Sequence, residues 1–287
     1  MRTVISISNH KGGVGKSTTA VALSVNLTRF GKKVQLIDMD PQGDLTTLLK
    51  LNLPENGIST SDAILGTRGP IWPAYQLRSN SGIFDFRFTP ARAELQNVNT
   101  ELQKAGGKNL VDTYREKIDL IQGADYVIIN CPPALDFLTW AAISVSDHVI
   151  IPSLPHPLSL EAIERTMNYV GLVANGNPFP RVLGILLTMY EGYNIHREIK
   201  ELLNETYPGK VFATAIRKTV LMEASPLRGM LKDPLKRDTA AADYLSFTKE
   251  VLSRTDPRGD LTPSINISSP YERTAKQHER RHQNLHK

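Results

Sequence analysis

The chain has 287 residues, a length that suits one large α/β domain or two modest ones. Its balance of apolar and charged residues is that of a globular protein. It has no apolar run of about 18 residues that could span a membrane, and its single cysteine, Cys131, excludes a disulfide framework or a multi-cysteine metal site within one chain. A formal charge of +5 permits a polyanionic partner without requiring one.

In chain order, short β-branched runs alternate with amphipathic stretches. Strands are expected at Thr3–Ser8, Val34–Asp38, Phe84–Phe88, Tyr126–Asn130, His148–Ile151, Val182–Met189 and Val211–Ile216. Most are apolar on both faces, as in Val34-Gln35-Leu36-Ile37, which suits buried parallel strands. Helices are expected at Ser17–Phe30, Arg92–Lys104, Val111–Gln122, Leu160–Asn175, Asn194–Thr206 and Thr239–Leu252. This alternation predicts an α/β fold: a mostly parallel twisted sheet with helices on both faces. The opening Met1-Arg2-Thr3-Val4 enters a strand pattern at once, so we expect no signal peptide and a cytoplasmic location.

The domain is expected to span residues 1–255. From Asp256 the composition changes: Pro257, Gly259, Pro263 and Pro270 precede a polar end. There Arg273, Lys276, Arg280, Arg281 and Lys287 face only Glu272 and Glu279. So little apolar area cannot offset the entropy of ordering, and residues 256–287 read as a flexible basic tail. It is either an inert solvated tail or an auxiliary nucleic-acid contact. The interleaved His278, His282 and His286 fit no recognised metal spacing.

The strongest chemical signal is His10-Lys11-Gly12-Gly13-Val14-Gly15-Lys16-Ser17-Thr18, directly after the first strand and opening a helix. Glycines let consecutive backbone N–H groups converge on phosphate oxygens, and the helix N-terminus adds partial positive charge. Lys16 is placed for the β- and γ-phosphates, and the Ser17 hydroxyl for Mg²⁺. The ordinary phosphate-loop pattern wants glycine where this chain has His10, and the loop carries a second lysine, Lys11.

With that lysine, Lys11-Gly12-Gly13-Val14-Gly15-Lys16-Ser17 resembles the deviant Walker A motif of the ParA/MinD family of dimerising P-loop ATPases. Leu36-Ile37-Asp38-Met39-Asp40-Pro41-Gln42-Gly43 resembles the family's D-x-D-P-Q-G segment, and Tyr126–Pro133 its Walker B strand. Leu183–Tyr190 and Ile216-Arg217-Lys218 resemble later stretches of the ParA branch, so the likeness runs from about residue 1 to 253.

The resemblance implies ATP and Mg²⁺ as ligands, and roles for single residues. Lys11 matches the signature lysine that reaches a partner subunit's ATP phosphates, which implies an ATP-dependent homodimer. With Lys16 and Asp40 it forms the expected catalytic set, Asp40 positioning the attacking water. Residues Lys11, Gly12, Gly13, Val14, Gly15, Lys16, Ser17 and Thr18 are expected to bind nucleotide, and Ser17, Asp38 and Asn130 to support the metal. Asn130 departs from the family, whose Walker B strand usually ends in aspartate. The amide oxygen can still accept, but the charge is gone, so weaker Mg²⁺ support and slow hydrolysis are expected.

The ParA branch binds duplex DNA without sequence preference, which implies a nucleoid-associated protein with a ParB-like centromere-binding or cargo-adaptor partner. Arg217, Lys218, Arg228, Lys232, Lys236 and Arg237 form the candidate DNA surface, although a solvated basic face has the same composition. His196, Arg197 or Lys200 are candidates for a second basic position. Membrane cycling is not expected, because the tail offers only scattered Leu261, Ile265, Ile267 and Leu285 rather than an amphipathic helix. With the phosphate loop reached by residue 11, the helix-turn-helix domain of larger relatives is not expected. DNA segregation is the leading expectation. The alternatives are the same engine positioning a protein cargo, a poorly hydrolysing nucleotide-gated DNA switch, and an amide- or ring-forming ATP enzyme.

Overall fold

Strands apolar on both faces are stable only between two covering layers, and the computed structural model has that arrangement. It describes residues 2–49, 57–67, 72, 74–78, 85–104, 109–176, 178–219 and 240–256. Its strands are β1 (Thr3–Ile7), β2 (Val34–Asp38), β3 (Tyr75–Arg78), β4 (Asp85–Thr89), β5 (Tyr126–Asn130), β6 (His148–Ser153) and β7 (Arg181–Leu187). Its helices are α1 (Lys16–Arg29), α2 (Asp44–Leu48), α3 (Thr60–Leu65), α4 (Val98–Lys104), α5 (Leu110–Asp119), α6 (Phe137–Ser144), α7 (Leu160–Ala174), α8 (Asn194–Thr206) and α9 (Ala240–Thr255).

The strands form one sheet in the order β3-β4-β2-β5-β1-β6-β7. Every pairing is parallel except that of β3 with β4. From β1 the chain crosses to β2 on one side, and from β5 it crosses β1 to β6 on the other. The connections therefore diverge around the carboxyl end of β1, where open α/β sheets hold ligands.

Side-chain alternation assigns the two faces. Ile5, Ile7, Leu36, Tyr126 and Ile128 share a core with α1 and α9. Val4, Ile37, Val127 and Ile129 share another with residues of α3 to α6. Beyond them, Val149, Ile151, Ile185 and Leu187 pack with α7 and α8. Because the strand period is two, Asp38 and Asn130 lie on the α1 face with Leu36 and Ile128.

Two expectations are corrected. Val211–Ile216 makes one isolated bridge, Ile185 to Val211, and a second lies just past it, Tyr190 to Arg217. Its middle leaves the sheet because the Ala213 and Thr214 N–H groups donate to the Glu250 carboxylate, at 2.8 and 2.7 Å. The stretch Arg92–Lys104 is a 3₁₀ turn, Ala93–Asn97, followed by α4 rather than one helix. Helix α6 was not anticipated, since it is apolar on nearly every side and has no amphipathic period. The Asp136 side chain caps it by accepting from the Leu138 and Thr139 N–H groups.

Candidate functional site

Between β1 and α1 the chain turns back sharply. Gly13 and Gly15 make that turn with φ of 72° and 83°, the left-handed region that glycine enters without strain. The Gly15 carbonyl accepts the Thr19 N–H at 2.8 Å, which starts α1. Distant side chains hold the loop in place. Buried Asn9 accepts the Lys11 N–H on Oδ1 (2.9 Å) and donates from Nδ2 to the Pro152 carbonyl (2.7 Å). The Thr188 hydroxyl, just past β7, donates to the Val14 carbonyl at 2.9 Å. The His10 N–H donates to Thr166 Oγ1 on α7 at 3.2 Å.

Gly12 and Gly13 are exposed at the crest of the loop, Val14 is buried beneath it, and Ser17 and Thr18 are half-buried in the first turn of α1. Lys16 is buried and its Nζ arches back to the Lys11 carbonyl at 3.1 Å. Burial lowers its pKa, and the charge of Asp40 opposes that shift. Lys11 Nζ reaches Ser159 Oγ, beside the start of α7, at 3.4 Å.

Opposite the loop, the last residues of β2 and β5 are register partners: Asp38 and Asn130, both fully buried. Asp38 Oδ1 accepts from the Asp40 N–H (3.1 Å) and from Asn130 Nδ2 (2.9 Å). Asp38 Oδ2 and Asn130 Oδ1 are buried with no hydrogen-bond partner. Burial pushes the Asp38 carboxyl up to about 7, with the Asn130 bond acting against it. Asp40 is raised as well, first by burial and against its bond from the Gln42 N–H. An oxygen buried without a donor costs roughly 1–3 kcal/mol, and a hard cation or its bound water would satisfy both atoms. An all-oxygen set beside a phosphate loop therefore fits Mg²⁺.

A family model described as an AAA domain matches residues 2–178. The sporulation initiation inhibitor protein Soj of Bacillus subtilis is 32% identical over 266 residues, covering 88% of this chain and 99% of its own. The chromosome partitioning protein ParA of Myxococcus xanthus is 30% identical, covering 89% of each. The chain belongs to the ParA/MinD family of nucleotide-binding P-loop partition ATPases. Among solved structures, cobyrinic acid a,c-diamide synthase from Mycobacterium smegmatis, with bound ADP and magnesium, is 25% identical with a TM-score of 0.73. That match covers 93% of this chain and 100% of the synthase.

In this member of the ParA/MinD family the expected DNA-binding residues divide. The Arg217 guanidinium grips Asp243 of α9 with two bonds, Nε to Oδ2 at 2.8 Å and Nη2 to Oδ1 at 2.7 Å. Asp243 Oδ2 also accepts the Arg217 N–H at 3.0 Å. Lys218, the next residue, is exposed. Arg228, Lys232, Lys236, Arg237 and residues 257–287 of the tail lie outside the described residues. Of the second basic candidates, Arg197 is exposed, whereas Lys200 Nζ donates to the Ala213 carbonyl (2.7 Å) and His196 Nδ1 accepts the Glu191 N–H (3.1 Å).

Sequence reading gave no role to Asn9 or Ser159, which have no motif of their own, nor to Thr188, although it lies in the Leu183–Tyr190 stretch. It also missed a recess beside the loop lined by Thr18, Thr188, Met189, Ile216 and Tyr244. Cys131, one residue past Asn130, lies on the opposite face of the sheet; burial pushes its thiol up to about 12 and leaves it unreactive. No described helix is long and apolar enough to cross a membrane.

Proposed function

We propose that this chain binds Mg²⁺·ATP between the Lys11–Thr18 loop and the Asp38/Asp40/Asn130 cluster, and dimerises around it. In that state it holds duplex DNA without reading sequence, and it serves the partition of a replicon with a ParB-like partner. The carrying observation is a loop with two lysines, Lys11 and Lys16, at the carboxyl end of β1 and facing a buried carboxylate cluster. Backbone N–H groups of the loop and Lys16 bind the β- and γ-phosphates. Ser17, Asp38 and Asn130 hold the metal. Bound there, Mg²⁺ supplies neutralisation of phosphate charge. Asp40 orients the water that attacks the γ-phosphorus, and the β–γ bridging oxygen leaves with ADP.

Lys11 sits against Ser159 of its own chain through one long hydrogen bond, so rotating outward to a partner's phosphates costs little. The bridge of Tyr190 to Arg217 joins the segment carrying exposed Lys218 to the one that leads into α8 and exposed Arg197, and we read these two residues as one basic edge. Two copies of that edge on a dimer would track DNA phosphates. The test is a gel shift on two unrelated duplexes with ATP and with ADP, run beside sedimentation. ATP-specific dimers that bind both duplexes equally are expected. Equal binding in both nucleotide states, or a strong preference for one duplex, refutes the reading.

Asn130 favours a second reading, a switch that binds ATP but hydrolyses it poorly. Under it, Asn130→Asp raises phosphate release or lowers the Mg²⁺ required. Identical Mg²⁺ titrations of the two proteins would remove it.

A further inference from the structure

We infer that Asn130 is a positioning residue for Asp38, and that this amide–carboxylate pair keeps the cation site formed when no cation is bound. The inference rests on reading the cluster as a Mg²⁺ site, and it concerns the protein without nucleotide.

The geometry singles out one oxygen. Asp38 Oδ1 is tied by two donors, the Asp40 N–H and Asn130 Nδ2, while Oδ2 has none. With one oxygen pinned, the carboxylate plane is fixed and Oδ2 is the atom left for a ligand. Asn130 spends its donor on Asp38 and keeps its own Oδ1 unpartnered, so the pair offers two oxygens while carrying one negative charge. The two residues are register partners on adjacent strands, and both are fully buried.

An aspartate at 130 would replace that hydrogen bond by two facing carboxylates at the same separation. Buried like charges at that distance repel strongly, and a cation between them is the natural relief. Such a site would rely on metal for its own stability. The amide removes that dependence.

The test is thermal unfolding of the full chain in chelator, without nucleotide and at mildly alkaline pH, followed by addition of Mg²⁺ alone. Asn130→Asp should lose about 5–10 °C relative to the parent and regain most of it with Mg²⁺, whereas the parent should respond little. The double variant Asp38→Asn/Asn130→Asp restores one amide and one carboxylate with the strands exchanged. It should melt within about 2 °C of the parent. If Asn130→Asp folds only when Mg²⁺ is present, the inference is supported in its strongest form. An Asn130→Asp protein as stable as the parent in chelator, or a double variant as unstable as Asn130→Asp alone, overturns it.

Asn130→Ala separates positioning from charge. With the donor gone and no charge added, Mg²⁺ should not rescue its stability. Nucleotide binding should need about tenfold more Mg²⁺ than in the parent, because Asp38 is no longer held and the amide oxygen is lost with the donor. An unchanged Mg²⁺ requirement would count against the inference. The stability measurements contain no ATP, so they can fail while ATP-driven dimerisation succeeds, and the reverse.

Discussion

The Thr188 hydroxyl donates to the Val14 carbonyl at 2.9 Å, joining the residue after β7 to the middle of the phosphate loop across 174 positions of sequence. The bond presses on the loop from below, where Val14 is buried. Thr188→Val should therefore leave the Val14 carbonyl without its donor and loosen the cradle. We expect nucleotide affinity to fall about 3- to 10-fold, with Thr188→Ser close to the parent, in a titration with a fluorescent ATP analogue. Unchanged affinity for Thr188→Val would show that the loop holds its shape without this brace.

The two lysines should separate by assay. Lys16 is buried over the loop and its loss should abolish nucleotide binding. Lys11→Ala should bind nucleotide as a monomer and fail to dimerise with ATP in sedimentation. A Lys11→Ala protein that dimerises normally would leave the second lysine without a role.

Asp40 should affect turnover and not binding. Asp40→Ala is expected to keep ATP affinity, reduce phosphate release by about 10²-fold or more, and leave the ATP dimer long-lived. Steady-state phosphate release measured beside gel filtration would check both halves.

Arg217 and Lys218 are neighbours with opposite expected phenotypes. Breaking the Arg217–Asp243 pair, by Arg217→Ala or Asp243→Asn, should cost on the order of 1–3 kcal/mol, because the pair is bidentate and only partly exposed. Lys218→Ala should leave the melting temperature unchanged and reduce both DNA affinity and its salt slope. A destabilised Lys218→Ala, or an Arg217→Ala that melts normally, would reverse the assignment.

The buried Asp38 carboxyl sets a pH dependence. Its pKa rises from 3.8 to about 7 in the folded protein, so the native state holds the proton more tightly than the unfolded chain. The stability it contributes is full below the unfolded value and is lost as pH rises to about 7, a change of roughly 4 kcal/mol. In metal-free denaturation experiments the parent should lose stability relative to Asp38→Asn across that window. A difference between the two proteins that stays flat with pH would contradict this. Mg²⁺·ATP should offset the loss at its upper end.

Much of this was legible beforehand, for identifiable reasons. β2 and β5 fall where expected, since continuous apolar runs bounded by turn residues have few alternatives in an α/β chain. The glycines at 13 and 15 mark positive φ, and the lysines around them announce phosphate. Hidden were contacts made across the fold. Nothing near Thr188 or Asn9 signals that they brace the loop. Arg217 reads as a phosphate contact until Asp243, 26 residues later, is found to hold it. Val211–Ile216 has strand composition, and only the Glu250 side chain explains why its centre is drawn off the sheet. Asn130 looked like a lost charge, whereas its amide is a gained donor.

Helix α1, which carries the end of the phosphate loop, is roofed by α9. Tyr244, Phe247 and Val251 share its core, and the Tyr244 hydroxyl meets Thr19 Oγ1 at 3.2 Å, 225 positions away. The helix that follows the phosphate loop is thus completed by a segment 225 positions later in the chain. Without Ala240–Thr255, the part of α1 that packs on α9 has lost its cover. A chain that stops before α9 displays every residue of the loop while leaving Thr19 without Tyr244 and the shared core incomplete. We expect such an incomplete copy to lack a settled ATP site.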